Sequence, residues 1–351
     1  MERYAATEAE IGRLFGVENF FYFLTLLLAA VPITKFSRTK MALLGSVILV
    51  LGYLASAYAG SLSALFVYRA VVSIGGALIT AAGTAAASAS PQPERVFATA
   101  GILYLSVFGT GHAMIPHILE RFEMDGVYIS IALYGAVVIP VYFFLYPPVK
   151  VHGSEESFLK LLLDAPYRLL AVMAMLGLFV YELGQNAAFT FMDQLGENAG
   201  IEADSRGMMF FLATSGTVMG GGLAAWMGAH FGRFWPLTFG LVLNISSAAL
   251  FAAVKDPVFY LPLLFVWDFS YGFVSPYIMG TLASLDREGR WAVAGDAFWN
   301  FSQTPGPVIA ALIVTHAGYN PLAIWVLTSG AVGMTLLCFT AKQSDKLGLN
   351  G

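Results

Sequence analysis

The stretch LSALFVYRAVVSIGGALITAAGTAAA, residues 62–87, carries one charge, Arg69, in a run of apolar, small and hydroxyl-bearing residues. The hydrocarbon core of a bilayer is about 30 Å thick and takes roughly 20 apolar helical residues to cross. This segment is long enough to do so. Its polar groups are also ordered. Arg69, Ser73, Gly76, Thr80 and Thr84 recur at helical spacing and form one stripe, so one face of the expected helix is polar and the rest is apolar.

Windows of similar length and hydropathy fill the chain on both sides of it. Spans are expected near 11–33, 41–59, 62–87, 96–119, 126–146, 167–191, 206–229, 234–253, 257–284, 291–316 and 319–340, eleven in all. Hydrophobic residues make up 58% of the 351 positions and charged residues 11%, with a mean hydropathy of +0.72. A water-soluble surface needs about twice that charge. In lipid every backbone polar group must be satisfied within its own segment, and strand-type alternation is absent, so the spans are read as α-helices. The fold class is all-α integral membrane. A net charge of −4 with no basic patch, no phosphate-cradling glycine loop and no zinc-type spacing gives no sign of nucleic acid, cofactor or metal. The single cysteine, Cys338, allows no internal disulfide. The polar, acidic opening MERYAATEAE does not read as a signal peptide.

Lys and Arg are unevenly shared between alternate loops. Lys35, Arg38, Lys40, Arg95, Lys150, Lys160, Arg168, Arg233, Arg287, Arg290, Lys342 and Lys346 fall on one side; Arg3, Arg13, Arg121, Arg206 and Lys255 fall on the other. The richer side is expected to be cytoplasmic. This predicts a multi-pass plasma-membrane protein with its N-terminus outside and its C-terminus inside.

Offsetting the chain against itself by about 195 residues brings Ile11-Gly12-Arg13 onto Arg206-Gly207-Met208 and Ser37-Arg38 onto Gly232-Arg233. It also brings Gly83-Thr84 near Gly280-Thr281, and Arg95 with Gly101 near Arg290 with Gly295. Parallel repeats of this length are one way transporters are built. The expected organisation is a five-span bundle over 1–146, a cytoplasmic connecting loop over 147–166 and a six-span bundle over 167–351. The span at 167–191 finds no counterpart in the first half; the repeat favours a truncated start with a partner helix before Met1, and the alternative is a genuine eleven-helix protein.

On these features the chain resembles the major facilitator superfamily, whose members have two six-helix lobes. The stretch EAEIGRLFG (8–16) is similar to the start of that family's second helix. The family's loop signature, roughly G-x-L-A-D-R-x-G-R-K, is met in part by AVPITKFSRTK (30–40), where Lys35 and Arg38 match and Thr34 replaces the acid. The second copy, AWMGAHFGR (225–233), keeps Gly232 and Arg233 and has Ala229 in place of the acid. The resemblance implies that Lys35, Arg38, Gly232 and Arg233 belong to a loop that controls lobe movement. Without the acid, the lobes are expected to be less locked or held by another contact. Arg69 with Gly75, Gly76 and Gly83 resembles the family's fourth-helix signature, whereas FGTGHAMIP (108–116) does not meet its antiporter signature.

Charge within a bilayer costs at least about 2.5–3.5 kcal/mol at mid-depth on insertion scales, so each such residue calls for a reason. The candidates are Glu18, Arg69, His112, Glu182, Asp268 and Asp296. Glu182, Gln185 and Asn186 share a helix face, as do Asp268, Tyr271 and Ser275. Asp296, Asn300 and Gln303 form a third stripe, followed by Pro305-Gly306-Pro307, where two missing backbone donors predict a local break. Arg69 and Glu18 lie at similar depth, so a structural pair between them stands beside a functional reading of Arg69.

These features predict a secondary transporter of a small organic solute working by alternating access, with Glu182 and Asp268 as substrate or proton-coupling carboxylates. Its expected partners are that solute, a proton or other coupling ion and the lipid bilayer, and it is expected to be monomeric. The alternative is a non-transporting sensor or a vestigial carrier. No nucleophile–base pair or metal cluster points to an enzyme.

Overall fold

The structure is a computed structural model describing residues 7–30, 32–34, 36–141, 167–253 and 255–348. The expected connecting loop at 147–166, together with Lys35, lies outside the described residues. The described residues are overwhelmingly helical, and no strand occurs among them. In chain order the helices are α1 (Glu8–Ala29), α2 (Arg38–Ala57), α3 (Leu62–Ser88), α4 (Pro93–Val138), α5 (Arg168–Thr190) and α6 (Met192–Asn198). They continue with α7 (Ala203–Met227), α8 (Phe234–Ala253), α9 (Tyr260–Leu285), α10 (Arg290–Ser302), α11 (Pro305–Ala317) and α12 (Asn320–Lys346).

Eight helices among the described residues are long and apolar enough to cross a membrane: α1, α2, α3, α5, α7, α8, α9 (with the turn before it) and α12. The expected eleven differ from these eight in two places. Residues 93–138 form one helical run holding two expected spans, and the run turns at Glu123, where φ is 57° and ψ is −162°. The expected span 291–316 is divided into α10 and α11. The break falls at Gln303-Thr304, directly before Pro305 at the first position of α11, where a missing backbone N–H costs a new helix nothing.

The chain divides into two compact units. The first holds 1–87, 106–165 and 288–300; the second holds 88–105, 166–287 and 301–351. The segment 93–105 joins the second unit and 288–300 joins the first. These two segments are counterparts under the 195-residue offset. In the second unit α7 packs along α9, α5 packs along α12, and α8 touches both α9 and α12.

Small residues set these crossings. A Cβ added at Gly45 on α2 would lie 2.6 Å from the Gly75 carbonyl on α3, and one added at Gly75 would lie 2.6 Å from the Gly45 carbonyl. In the second unit a Cβ at Gly220 on α7 would run into the Phe269 carbonyl on α9. The glycine run 216–225 therefore serves close helix approach, which in lipid supplies the packing that hydrophobic burial supplies in water.

Candidate functional site

In the second unit the polar side chains of α5, α8 and α9 form a connected ladder through an apolar bundle. The Tyr181 hydroxyl donates to Asn244 Oδ1 at 2.7 Å, and Asn244 Nδ2 donates to the Trp267 carbonyl at 3.1 Å and to Ser270 Oγ at 3.2 Å. One turn along α5, Trp267 Nε1 donates to Gln185 Oε1 at 2.6 Å. The Tyr271 hydroxyl donates to Glu182 Oε1 at 3.2 Å. Trp267 and Tyr271 stand four apart on α9, while Gln185 and Glu182 stand three apart on α5. Antiparallel helices bring such pairs into register.

The ladder leaves two groups unsatisfied. An indole N–H only donates, so the Gln185 atom facing Trp267 is the amide oxygen and its Nε2 points elsewhere. Gln185 is 4% exposed, and Nε2 has no partner among the described residues. Asp268, next to Trp267 and three residues before Tyr271, is half-buried and takes no hydrogen bond among the described residues. Glu182 is 2% exposed and receives the single Tyr271 bond.

Asn186 donates to Ser302 Oγ at 3.0 Å and to its own helix at the Glu182 carbonyl, which ties α5 to the end of α10. A Cβ at Gly306, just past the helix break, would meet Asn186 Cβ at 2.7 Å. The broken stretch containing Gln303 therefore lies beside the Glu182 face of α5. Half-buried Phe179 and Phe301 stack there at 5.8 Å.

The first unit has a different centre. Arg69 Nε is 2.6 Å from Glu18 Oε1, and Arg69 Nη2 reaches Glu18 Oε2 at 3.0 Å, a two-point pair between α3 and α1. The guanidinium lies 5.0 Å from the Tyr53 ring centre and 5.8 Å from that of Tyr128. A planar guanidinium suits both contacts, which a lysine would not reproduce. Asp296 on α10 accepts from Thr84 Oγ1 on α3, and Asn300 Nδ2 bonds back to the Asp296 carbonyl within its own helix at 2.8 Å.

The Major Facilitator Superfamily sequence profile matches residues 1–295. The chain belongs to this family. It is a multi-pass membrane transporter. Among solved structures it is similar to the human organic anion transporter MFSD10 (TETRAN), with a TM-score of 0.77 and 17% identity over 96% of this chain and 86% of that one. It is likewise similar to the E. coli fucose:proton symporter FucP (TM-score 0.74, 14% identity, 96% and 91% coverage). The proton:xylose symporter XylE gives a TM-score of 0.71 at 13% identity, over 96% and 87%. At these identities the likeness is one of fold. No curated protein matches by sequence.

In this transporter the second loop arginine, Arg233, meets an acid that lies outside the loop. Arg233 Nε is 2.5 Å from Glu94 Oε1, and the two side chains are 2% and 0% exposed. The backbone N–H groups of Arg233 and Phe234 donate to Asp345 at 2.9–3.0 Å. Gly232 has φ 68°, a conformation that favours glycine, and a Cβ there would lie 2.7 Å from Asp345 Oδ2 and displace that carboxylate. In the first unit Arg38 is buried within reach of the Glu288 charge, and Glu288 also pairs with Arg290 at 3.5 Å. Under the 195-residue offset Arg38 corresponds to Arg233, and Glu288 falls within a residue of the position matching Glu94.

Sequence reasoning missed Glu94, Asn244 and Asp345. Glu94 and Asp345 sit in terminal helical turns, where a charged residue reads as an ordinary solvated group. Asn244 is neutral, so a search for membrane charge passes it by; its lone amide in the apolar run LVLNISS is the available signal.

Proposed function

We propose that this protein is a secondary active transporter of a small organic solute, coupled to protons and working by alternating access in the plasma membrane. Its N-terminus is outside and its C-terminus cytoplasmic in this reading, and it acts as a monomer. Glu182 and Asp268 bind the solute and exchange protons, with Gln185, Asn186 and Tyr271 orienting it. Gln303 lies beside this site, Asp296 and Asn300 are further polar residues that serve the solute or the proton, and Arg69 maintains the polar centre of the first unit. The Arg233–Glu94 contact, with Arg38, Gly232 and Lys35, governs the change of state.

The supporting observation is the pair of acids in the second unit's spans, which have no basic partner among the described residues. Burial disfavours the charged form of a carboxylate, so such a group binds a proton readily when closed off and releases it when wet. A change of access then changes proton occupancy, which links proton movement to solute movement. The test is uptake into reconstituted vesicles under an imposed pH gradient. Flux of a bound solute is expected to follow the gradient and to lose that dependence in Glu182→Gln and Asp268→Asn. Gradient-driven flux retained in both variants would overturn the coupling role.

A further inference from the structure

The second unit is out of charge balance. Across α5, α7, α8 and α9 the basic residues are Arg168 and Arg206, each in the first turn of its helix. Arg206 is already committed to Asp193 at 2.7 Å and to the Ile201 carbonyl at 2.6 Å. His316 lies in the last turn of α11, and Lys342 and Lys346 lie near the end of α12. Glu182 and Asp268, deep within α5 and α9, therefore have no cation at their depth on α5, α7, α8, α9, α11 or α12. A buried carboxylate without a counter-charge is held only at a large cost in free energy.

Two further features point to what completes the set. Gln185 Nε2 is a buried donor with no acceptor among the described residues, one turn from Glu182. Aromatic faces flank the acids on both helices: Phe179 stacked on Phe301, one turn before Glu182, and Tyr271 bonded to Glu182. Carboxylates, a spare amide donor and ring faces together suit a cation with an apolar body and one hydrogen-bond acceptor. Ring faces attract positive charge and repel negative charge.

We propose that this site takes an organic monocation: an ammonium group seated against Glu182 and Asp268, an acceptor atom on Gln185 Nε2, and an apolar body against Phe179, Phe301 and Tyr271. The inference rests on the transporter reading and specifies its substrate class. In that reading the ammonium group and the proton compete for the same two carboxylates. Alternate occupancy by one and the other then exchanges an amine for protons: a carboxyl O–H bond breaks and its proton passes to water as the ammonium group arrives, and the bond re-forms with a proton from water as the amine leaves.

Two matched sets of probes test this on the full-length protein. Each set keeps the body and changes the charge: 4-hydroxyphenethylamine, 4-hydroxyphenethyl alcohol and 4-hydroxyphenylacetate; and 2-cyclohexylethylamine, 2-cyclohexylethanol and cyclohexylacetate. Thermal stabilisation of the purified protein and calorimetric titration read out binding. The amine of each set is expected to bind at least about ten-fold more tightly than its alcohol or acid, as charge pairing in a desolvated site provides. Gln185→Leu is expected to weaken the hydroxyphenyl amine and leave the cyclohexyl amine unchanged, since only the former carries an acceptor. Glu182→Gln and Asp268→Asn are each expected to remove the preference for the amine. Preference for an alcohol or acid, or no binding by any of the six, overturns the proposal, and both readouts use the unmutated protein. Vesicle uptake separates this from the broader reading. Amines that bind without crossing leave the cation site standing and refute transport, whereas uptake of an alcohol or acid keeps transport and refutes the cation site.

Discussion

In the first unit Arg69 and Glu18 stand 2.6 Å apart with two tyrosine rings around the guanidinium. In the second, Glu182 has one tyrosine hydroxyl at 3.2 Å, and Asp268 has no hydrogen bond among the described residues. Both centres lie within apolar spans, yet one is closed and the other open. A charge with a two-point partner holds helices together. A charge left without one keeps its binding capacity for something that arrives from outside. The same contrast recurs inside the second unit, where the fully buried Arg233–Glu94 pair lies near a helix end and the lone acids lie deeper.

Breaking a closed pair gives the largest change. Arg233→Met strands the buried Glu94 carboxylate and is expected to cost about 3–5 kcal/mol of stability, read as a lowered unfolding midpoint in detergent. Adding Glu94→Gln to it is expected to restore most of the loss. A double variant no better than the single would show that Arg233 acts through packing instead.

Arg69→Met removes the charge-assisted bonds to Glu18, where both side chains keep some exposure, and is expected to cost about 1.5–3 kcal/mol by the same measurement. Lysine at this position is expected to recover part of the stability, since it restores the charge and loses the planar fork. At the open centre the sign reverses. Glu182→Gln and Asp268→Asn each remove an uncompensated acid, so unfolding midpoints are expected to hold or rise while proton-driven flux disappears. A marked fall in stability in both would mean that these acids have partners after all, and the contrast between the units would be lost.

Trp267→Phe keeps the ring and deletes the N–H that fixes Gln185, with an expected cost of about 1 kcal/mol. Its effect on solute affinity is expected to exceed its effect on stability, because the amide is then free to turn. The smallest effect belongs to Asp193 on α6, outside the spans and 53% exposed. Hydrogen bonding from Arg206 holds its carboxyl below the usual range. A depressed carboxylate pKa stabilises the fold above its unfolded value, about 3.9, and that contribution fades as pH falls through the folded value. Asp193→Asn is therefore expected to lower the midpoint slightly at neutral pH and to match the parent protein in strong acid.

Much of the fold is legible in the residues alone. The spans at 41–59, 62–87, 167–191 and 234–253 correspond closely to α2, α3, α5 and α8, because hydropathy over a membrane's thickness is a strong and local signal. The proline pair at 305 and 307 marks the break between α10 and α11. The stripe carrying Glu182 and Gln185 meets the one carrying Tyr271. Arg69 finds Glu18, the structural alternative that their similar depth leaves open. The polar stretch between the expected spans 96–119 and 126–146 reads as a loop, yet the helical path continues on either side of a single turned residue, Glu123. Composition reports polarity there and carries no mark of how little backbone the turn needs.

The sequence by itself determined that this is a helical membrane protein, and which residues carry charge where charge is costly. Both follow from properties of single segments: length, hydropathy and periodicity. Only the tertiary structure decided which charges are satisfied. The acid that answers Arg233 is Glu94, far away in the chain, and the lack of a basic group beside Glu182 and Asp268 among the described residues emerges only when neighbouring helices are assembled. Electrostatic pairing acts over a few ångströms of space, and distance along the chain does not report it.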